Sequence, residues 1–434
     1  MPTQMARALA GEITPEMKRV AEKEGVDPES IRRGVAEGSV VILRSRARGS
    51  ADPVGVGAGL AVKVSASVGL AAEKDTVEAE LAKVRAAVEA GTDAVMDLSV
   101  AGDIDGARRA VLAAAPVPCG TLPLYQALAE ARERYGVAVK MKVAELFSVI
   151  ERQAADGVDF LALHCATTLK TMEAAKKHGR TDYLVSHGGT HLVGWMIYNR
   201  QENPLYENFD RVLEICRRYD TVLSLADGWR PGCLADSLDA AQVQELVVLG
   251  ELVARARRRQ VQVMVKGPGH VPLGHLRASV QLQKQLCGGA PYFVFGPVVT
   301  DVAPGYDHIT AAIGGALAAW AGADFLCYVT AAEHLGLPDA SQVREGVVAA
   351  RIAAHAADVA RKPGAARWDF QMSRARKDLD WERQIALAID PRRAEQMRRE
   401  RSPGSPRACA MCGKYCAMQV VGRYLGKERE KGVC

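Results

Sequence analysis

The sequence predicts an α/β chain built on a (β/α)8 barrel, with a small N-terminal α/β unit and a helical C-terminal domain. Three observations predict it. Short apolar runs alternate with longer helical patterns from about residue 60 to 340. The runs are mostly continuous in hydrophobicity, as in strands buried on both faces of a parallel sheet. The length of the repeat suits a barrel of ~250 residues better than an open doubly wound sheet.

The elements follow in order. Residues 1–58 read as the N-terminal unit, in which Thr14 is an N-cap and Pro15 the first helical residue. Pro28 precedes a second helix carrying Ile31 and Val35, and Val40–Leu43 is an apolar run. Residues 45–59, rich in Arg, Gly and Ser, read as a linker or loop. The barrel, residues 59–340, has nine candidate strands for eight places: 61–68, 94–98, 117–124, 160–164, 183–185, 222–225, 261–265, 292–298 and 325–329. One of the nine is therefore expected to be a hairpin or an extra turn. Residues 341–434 are helical through the Ala-rich Val343–Asp358 and the charged stretch 368–400. A hinge at Arg401–Arg407 then leads to a cysteine-bearing tail.

The 434 residues are 48% hydrophobic and 25% charged, which excludes global disorder. A net charge of +5 is small for this length and gives no reason to expect nucleic acid. No apolar run approaches the ~20 residues of a membrane span, and Met1–Arg7 has no signal-peptide core. A soluble, cytoplasmic protein is expected, with no membrane partner. Three of its ten cysteines are packed into Cys409-Ala-Met-Cys412-Gly-Lys-Tyr-Cys416. In such a chain a tight thiol group holds a metal rather than disulfides. Three thiolates suit a [4Fe–4S] cluster with one iron open to a small molecule, and zinc completed by a fourth ligand is the alternative.

Polar residues gather after the candidate strands: Asp97-Leu-Ser99, His164-Cys165, Ser186-His-Gly-Gly189, Asp227-Gly-Trp-Arg230, Lys266-Gly-Pro-Gly-His270, Asp301 and Glu333-His334. That end of a barrel is where active sites are built. His270 and His334 follow two different strands, so both imidazoles can point into one mouth and share a divalent ion. Histidines that only hydrogen-bond to loops are the alternative. Gly305-Tyr-Asp-His308 adds a third polar group. Gly55-x-Gly57-x-Gly59 is no nucleotide fingerprint, because no helix follows it.

Several longer motifs are near-unique: Met96-Asp-Leu-Ser99, Asn203-Pro-Leu-Tyr206, Arg230-Pro-Gly-Cys233, Gly267-Pro-Gly-His-Val-Pro-Leu273, Thr300-Asp-Val-Ala-Pro-Gly-Tyr-Asp-His-Ile309, Ala316-Leu-Ala-Ala319, Ala332-Glu-His-Leu-Gly-Leu-Pro338 and the Cys-x2-Cys-x3-Cys tail. On these, the chain resembles the thiamin pyrimidine synthase (phosphomethylpyrimidine synthase) family and its anaerobic paralogue, 5-hydroxybenzimidazole synthase, over nearly its whole length. The resemblance implies a radical S-adenosylmethionine lyase acting on 5-aminoimidazole ribotide through a 5′-deoxyadenosyl radical. It implies a [4Fe–4S] cluster on Cys409, Cys412 and Cys416, and one divalent metal, zinc or iron, on His270 and His334. It places Met96, Tyr125, His164, Ser186, Gly188, Asp227 and Arg230 in the substrate pocket, Arg230 as a phosphate clamp. An electron donor such as flavodoxin or ferredoxin is implied, as is a homodimer whose tails reach the partner's barrel.

The departures from the thiamin pattern bear on the product. Ser65-Ala-Ser67 stands where the thiamin enzymes carry Asn-Ala-Asn, and Ser186-His187-Gly188 where they carry Ser-Arg-Gly. Asp227-Gly228-Trp229-Arg230 replaces Asp-Gly-Leu-Arg, Lys266 a glutamate, and Phe293 a tyrosine. Lys266 reverses a charge among the substrate-binding positions, and Ser67 shortens a two-ended hydrogen-bonding group. Ser67, His187, Gly228, Trp229, Lys266 and Phe293 therefore join the expected pocket. These changes favour 5-hydroxybenzimidazole as product, for cobamide biosynthesis, with the thiamin pyrimidine phosphate as the alternative. A third reading is an inactive, zinc-stabilised barrel that binds a phosphorylated nucleotide or serves as a partner subunit.

Overall fold

The computed structural model describes residues 1–71, 75–400, 411, 415–418, 420 and 421. Ten strands occur among them: β1 (Val40–Leu43), β2 (Val54–Gly57), β3 (Lys63–Val68), β4 (Ala94–Asp97), β5 (Cys119–Thr121), β6 (Phe160–Leu163), β7 (Val222–Ala226), β8 (Val263–Lys266), β9 (Tyr292–Phe295) and β10 (Phe325–Cys327). β3 to β10 form a closed, all-parallel barrel in chain order, with β10 pairing both β9 and β3. All eight come from the nine candidate runs. The ninth, Tyr183–Val185, is coil leading into Ser186, which caps the helix His187–Asn199.

One expectation needs correction. Residues 45–59 are not simply a loop, because Val54–Gly57 forms β2, antiparallel to β1. Val41, Leu43, Val54 and Val56 of this hairpin pack with Ala94, Phe160, Val222 and Phe325, the first residues of their strands. The hairpin thus seals the N-terminal end of the barrel. Gln262 secures it, accepting from the Ile42 N–H at 2.8 Å. The helices Pro15–Glu24 and Pro28–Glu37 begin as expected, with Thr14 and Asp27 as caps.

Inside the barrel, Phe293 stacks on Phe325 with ring centroids 4.1 Å apart, and Phe160 meets both edge-on at 6.5 and 6.4 Å. Burying one such ring contributes about 1.5–3 kcal/mol. These rings close the lower barrel and leave its C-terminal end open for polar groups.

The described chain forms two compact units, Met1–Lys362 and Pro363–Cys434. The helix Ala340–Arg361 lies in the first and packs on the helix Asp307–Ala321. The second unit contains the helices Arg367–Lys377, Trp381–Ala386 and Pro391–Glu400. No described helix is long and apolar enough to cross a membrane.

Candidate active site

The C-terminal ends of β3, β4 and β6 to β10 converge on one mouth. Met96 on β4 and Lys266 on β8 point inward, and the Lys266 Nζ lies 3.5 Å from the Met96 Sδ. The same ammonium sits 4.7 Å from the centroid of the Phe293 ring, which places Phe293 beneath it as a floor. Lys266 is only 5% exposed, so it does not reach out to solvent. Burial pulls its pKa below the ordinary lysine range. A buried ammonium with no hydrogen bond to a carboxylate among the described residues is costly, so its contact with the Phe293 ring matters.

Three further loops carry the remaining pocket residues. His164 follows β6 and is buried, and its Nδ1 has no hydrogen-bond partner among the described residues. Burial, reinforced by the positive charges of Arg230 and Lys266, brings its pKa down to about 3, so the ring is neutral. Gly188 packs against it: a Cβ there would stand 2.3 Å from the His164 Cδ2. Ser186 accepts from the Gly189 N–H at 3.3 Å, and His187 meets the Tyr125 ring edge-on at 4.8 Å.

Asp227, after β7, is buried with Oδ1 unpartnered among the described residues, and burial raises its pKa to about 6 against the pull of Arg230 and Lys266. Arg230 lies over Phe295 at 5.2 Å and forms no hydrogen bond or ion pair among the described residues. Ser67 closes the ring of strands, its hydroxyl 3.8 Å from the Cys327 Sγ and its carbonyl accepting from the Tyr328 hydroxyl at 2.7 Å.

The two histidines do meet. The His270 and His334 ring centroids are 5.2 Å apart. Each Nδ1 lies against a carboxylate: His270 on Asp301 Oδ1 at 2.8 Å, His334 on Asp307 Oδ1 at 2.9 Å. A carboxylate at Nδ1 fixes the tautomer that leaves the Nε2 lone pair for a metal ion. The pair therefore fits a divalent cation, although no cluster of three or more ligating side chains occurs among the described residues. Of the three cysteines expected to hold a cluster, Cys416 is described and buried, while Cys409 and Cys412 lie outside the described residues. Three thiols in this spacing are a fitting donor set for an iron–sulfur cube.

Sequence reasoning missed Glu245, on the inner face of the helix Ala240–Arg258. Its carboxylate accepts from the backbone of Gly228 and Trp229. No local motif marks it; a glutamate at a core-facing helical position was the available signal.

Comparison with known proteins then decides the family. The family model for the radical SAM ThiC family matches residues 3–423. The chain belongs to that family. It is similar to 5-hydroxybenzimidazole synthase BzaA of Moorella thermoacetica, 67% identical over 423 residues, covering 97% of this chain and 98% of the relative. It is similar to BzaA of Eubacterium limosum at 58% identity, covering 98% of this chain and all of the relative (100%). It is also similar to the phosphomethylpyrimidine synthase of Moorella thermoacetica, at 57% identity with 99% of each covered. The protein is thus an enzyme of a radical S-adenosylmethionine family, and membership implies a [4Fe–4S] cluster and S-adenosylmethionine.

Proposed function

We propose that this enzyme is a 5-hydroxybenzimidazole synthase, which converts 5-aminoimidazole ribotide into the lower-ligand precursor of anaerobic cobamides. The observation that carries it is a paired one. Of the two Moorella thermoacetica relatives, the benzimidazole synthase is 67% identical and the phosphomethylpyrimidine synthase 57%. Lys266 supports it, because a buried cation at the pocket floor is a different electrostatic environment from the glutamate of the thiamin pattern.

Cys409, Cys412 and Cys416 would hold the [4Fe–4S] cluster, and His270 and His334 a zinc or ferrous ion that orients S-adenosylmethionine. When bound, the cluster supplies the electron, received from a flavodoxin or ferredoxin, that cleaves S-adenosylmethionine and generates the 5′-deoxyadenosyl radical. The chain's own residues do the rest. Arg230, without a hydrogen-bond or ion-pair partner among the described residues, binds the ribotide phosphate bidentately. Neutral His164 offers a donor or acceptor at its unpartnered Nδ1, and Asp227 Oδ1 accepts from the substrate amine or hydroxyls. Asp227 is also placed to hold a proton near neutral pH. Met96, Tyr125 and Phe293 exclude water, while Ser67, Ser186, His187, Gly188 and Gly228 shape the wall; the Trp229 ring, expected in the pocket, instead packs behind the turn with Met172 and Ala241. The enzyme works in the cytoplasm as a homodimer.

A second reading, phosphomethylpyrimidine synthase, is favoured by one observation: the Eubacterium limosum benzimidazole synthase, at 58%, is only one percentage point nearer than the Moorella pyrimidine synthase at 57%. The test is anaerobic reconstitution with S-adenosylmethionine and the ribotide. Ribotide-dependent release of 5′-deoxyadenosine, abolished in Cys412→Ala, is expected together with 5-hydroxybenzimidazole. Formation of the pyrimidine phosphate instead supports the second reading.

A further inference from the structure

We propose that Glu245 is a positioning residue for the substrate pocket, tying together the loops after β6 and β7 so that Asp227 and Arg230 face the mouth. The assignment of those two residues to the ribotide rests on the function proposed above.

The geometry is specific. Glu245 is 1% exposed and its oxygens accept from three donors. Its Oε1 accepts from the Gly228 N–H at 2.9 Å and from the Thr167 hydroxyl at 2.9 Å, and its Oε2 from the Trp229 N–H at 2.8 Å. Gly228 and Trp229 separate Asp227 from Arg230, so both backbone bonds act on the two residues that link them. Thr167 lies three residues beyond His164, on the neighbouring loop. Gly228 must be glycine for this arrangement, since a Cβ there would stand 2.0 Å from the Thr167 Oγ1. Trp229 is held a second time, its indole N–H donating to the Thr171 hydroxyl at 2.8 Å. A helix-borne carboxylate thus fixes a turn that anchors Trp229 behind it and turns the Asp227 and Arg230 side chains toward a ligand. Burial of such a group is sustained only because each oxygen is satisfied.

Glu245→Gln tests this. The amide keeps the shape but has one acceptor end, so either Trp229 or the Gly228–Thr167 pair faces an N–H donor instead of an acceptor. The probe is 5-aminoimidazole ribotide, titrated calorimetrically into reconstituted holoenzyme without S-adenosylmethionine. Ribotide affinity is expected to fall at least tenfold, while S-adenosylmethionine affinity and cluster content stay near wild type and the variant, though melting lower, remains folded at the assay temperature. Thr167→Val, which removes one donor, is expected to weaken ribotide binding in the same direction but less, and it serves as the readout if Glu245→Gln fails to fold. Unchanged ribotide affinity in a folded variant, or equal loss of ribotide and S-adenosylmethionine affinity, overturns the proposal. If the wild type binds the ribotide but releases another product, only the function fails. If the wild type does not bind the ribotide, both fail.

Discussion

His164 gives the chain a pH dependence whose size follows from its surroundings. In the unfolded chain its imidazole has the ordinary value of 6.5, and in the native barrel it is brought down to about 3. The unfolded state therefore binds an extra proton between those values, and stability rises with pH across that window. At about pH 5 an unfolded imidazole gains about 2 kcal/mol from protonation while the native one stays neutral. Asp227 acts oppositely. Its folded value near 6 lies above the ordinary 3.8, so its contribution grows as pH falls between the two. Comparison with His164→Gln separates them, because the variant keeps Asp227 and loses the imidazole. Urea unfolding followed by far-UV circular dichroism at about pH 7.5 and 5 should show wild type losing about 2 kcal/mol more than the variant. Equal pH dependence of the two proteins would refute a buried, neutral His164.

Three further outcomes follow from contacts at the same mouth. Lys266→Met removes a desolvated charge, so it should unfold no earlier than wild type at neutral pH yet lose product formation. Because the native ammonium is depressed, wild-type stability should rise with pH toward the ordinary lysine value of 10.5, and the variant's melting temperature should lack that rise. Asp307→Asn removes the carboxylate at the His334 Nδ1 and should weaken divalent-metal affinity about ten- to a hundredfold, read by chelator competition on folded protein. Gly188→Ala would place a methyl 2.3 Å from the His164 ring, and calorimetry should show at least a tenfold loss of ribotide affinity with native circular dichroism.

Continuous apolar runs made the eight barrel strands legible, because parallel strands buried on both faces leave that mark in the residues themselves. Tyr183–Val185 has a strand-like composition, but Tyr183 is exposed and the segment only delivers Ser186 to its helix cap. β2 was hidden because Val54-Gly-Val-Gly57 reads as glycine-rich loop, and its partner β1 lies across a ten-residue connection, residues 44–53. The meeting of His270 and His334 followed from their places after two strands, whereas their partners did not. Asp301 and Asp307 stood in singled-out motifs, yet which imidazole each one holds depends on how the loop after β9 folds. Lys266 was expected in the mouth, and it lies deeper, on Phe293 and Met96, because its strand points it into the barrel. Glu245 was out of reach, as its role arises only where a helix passes behind another loop.

Product identity tests the central claim most directly. Uniformly ¹³C-labelled 5-aminoimidazole ribotide, incubated anaerobically with the reconstituted enzyme, S-adenosylmethionine and a reductant, should give ¹³C-labelled 5-hydroxybenzimidazole by mass spectrometry, with no labelled pyrimidine phosphate. Labelled pyrimidine phosphate as the product, or rescue of a thiamin auxotroph by the unaltered protein, would contradict the account and make the Ser67, His187 and Lys266 substitutions tolerated drift.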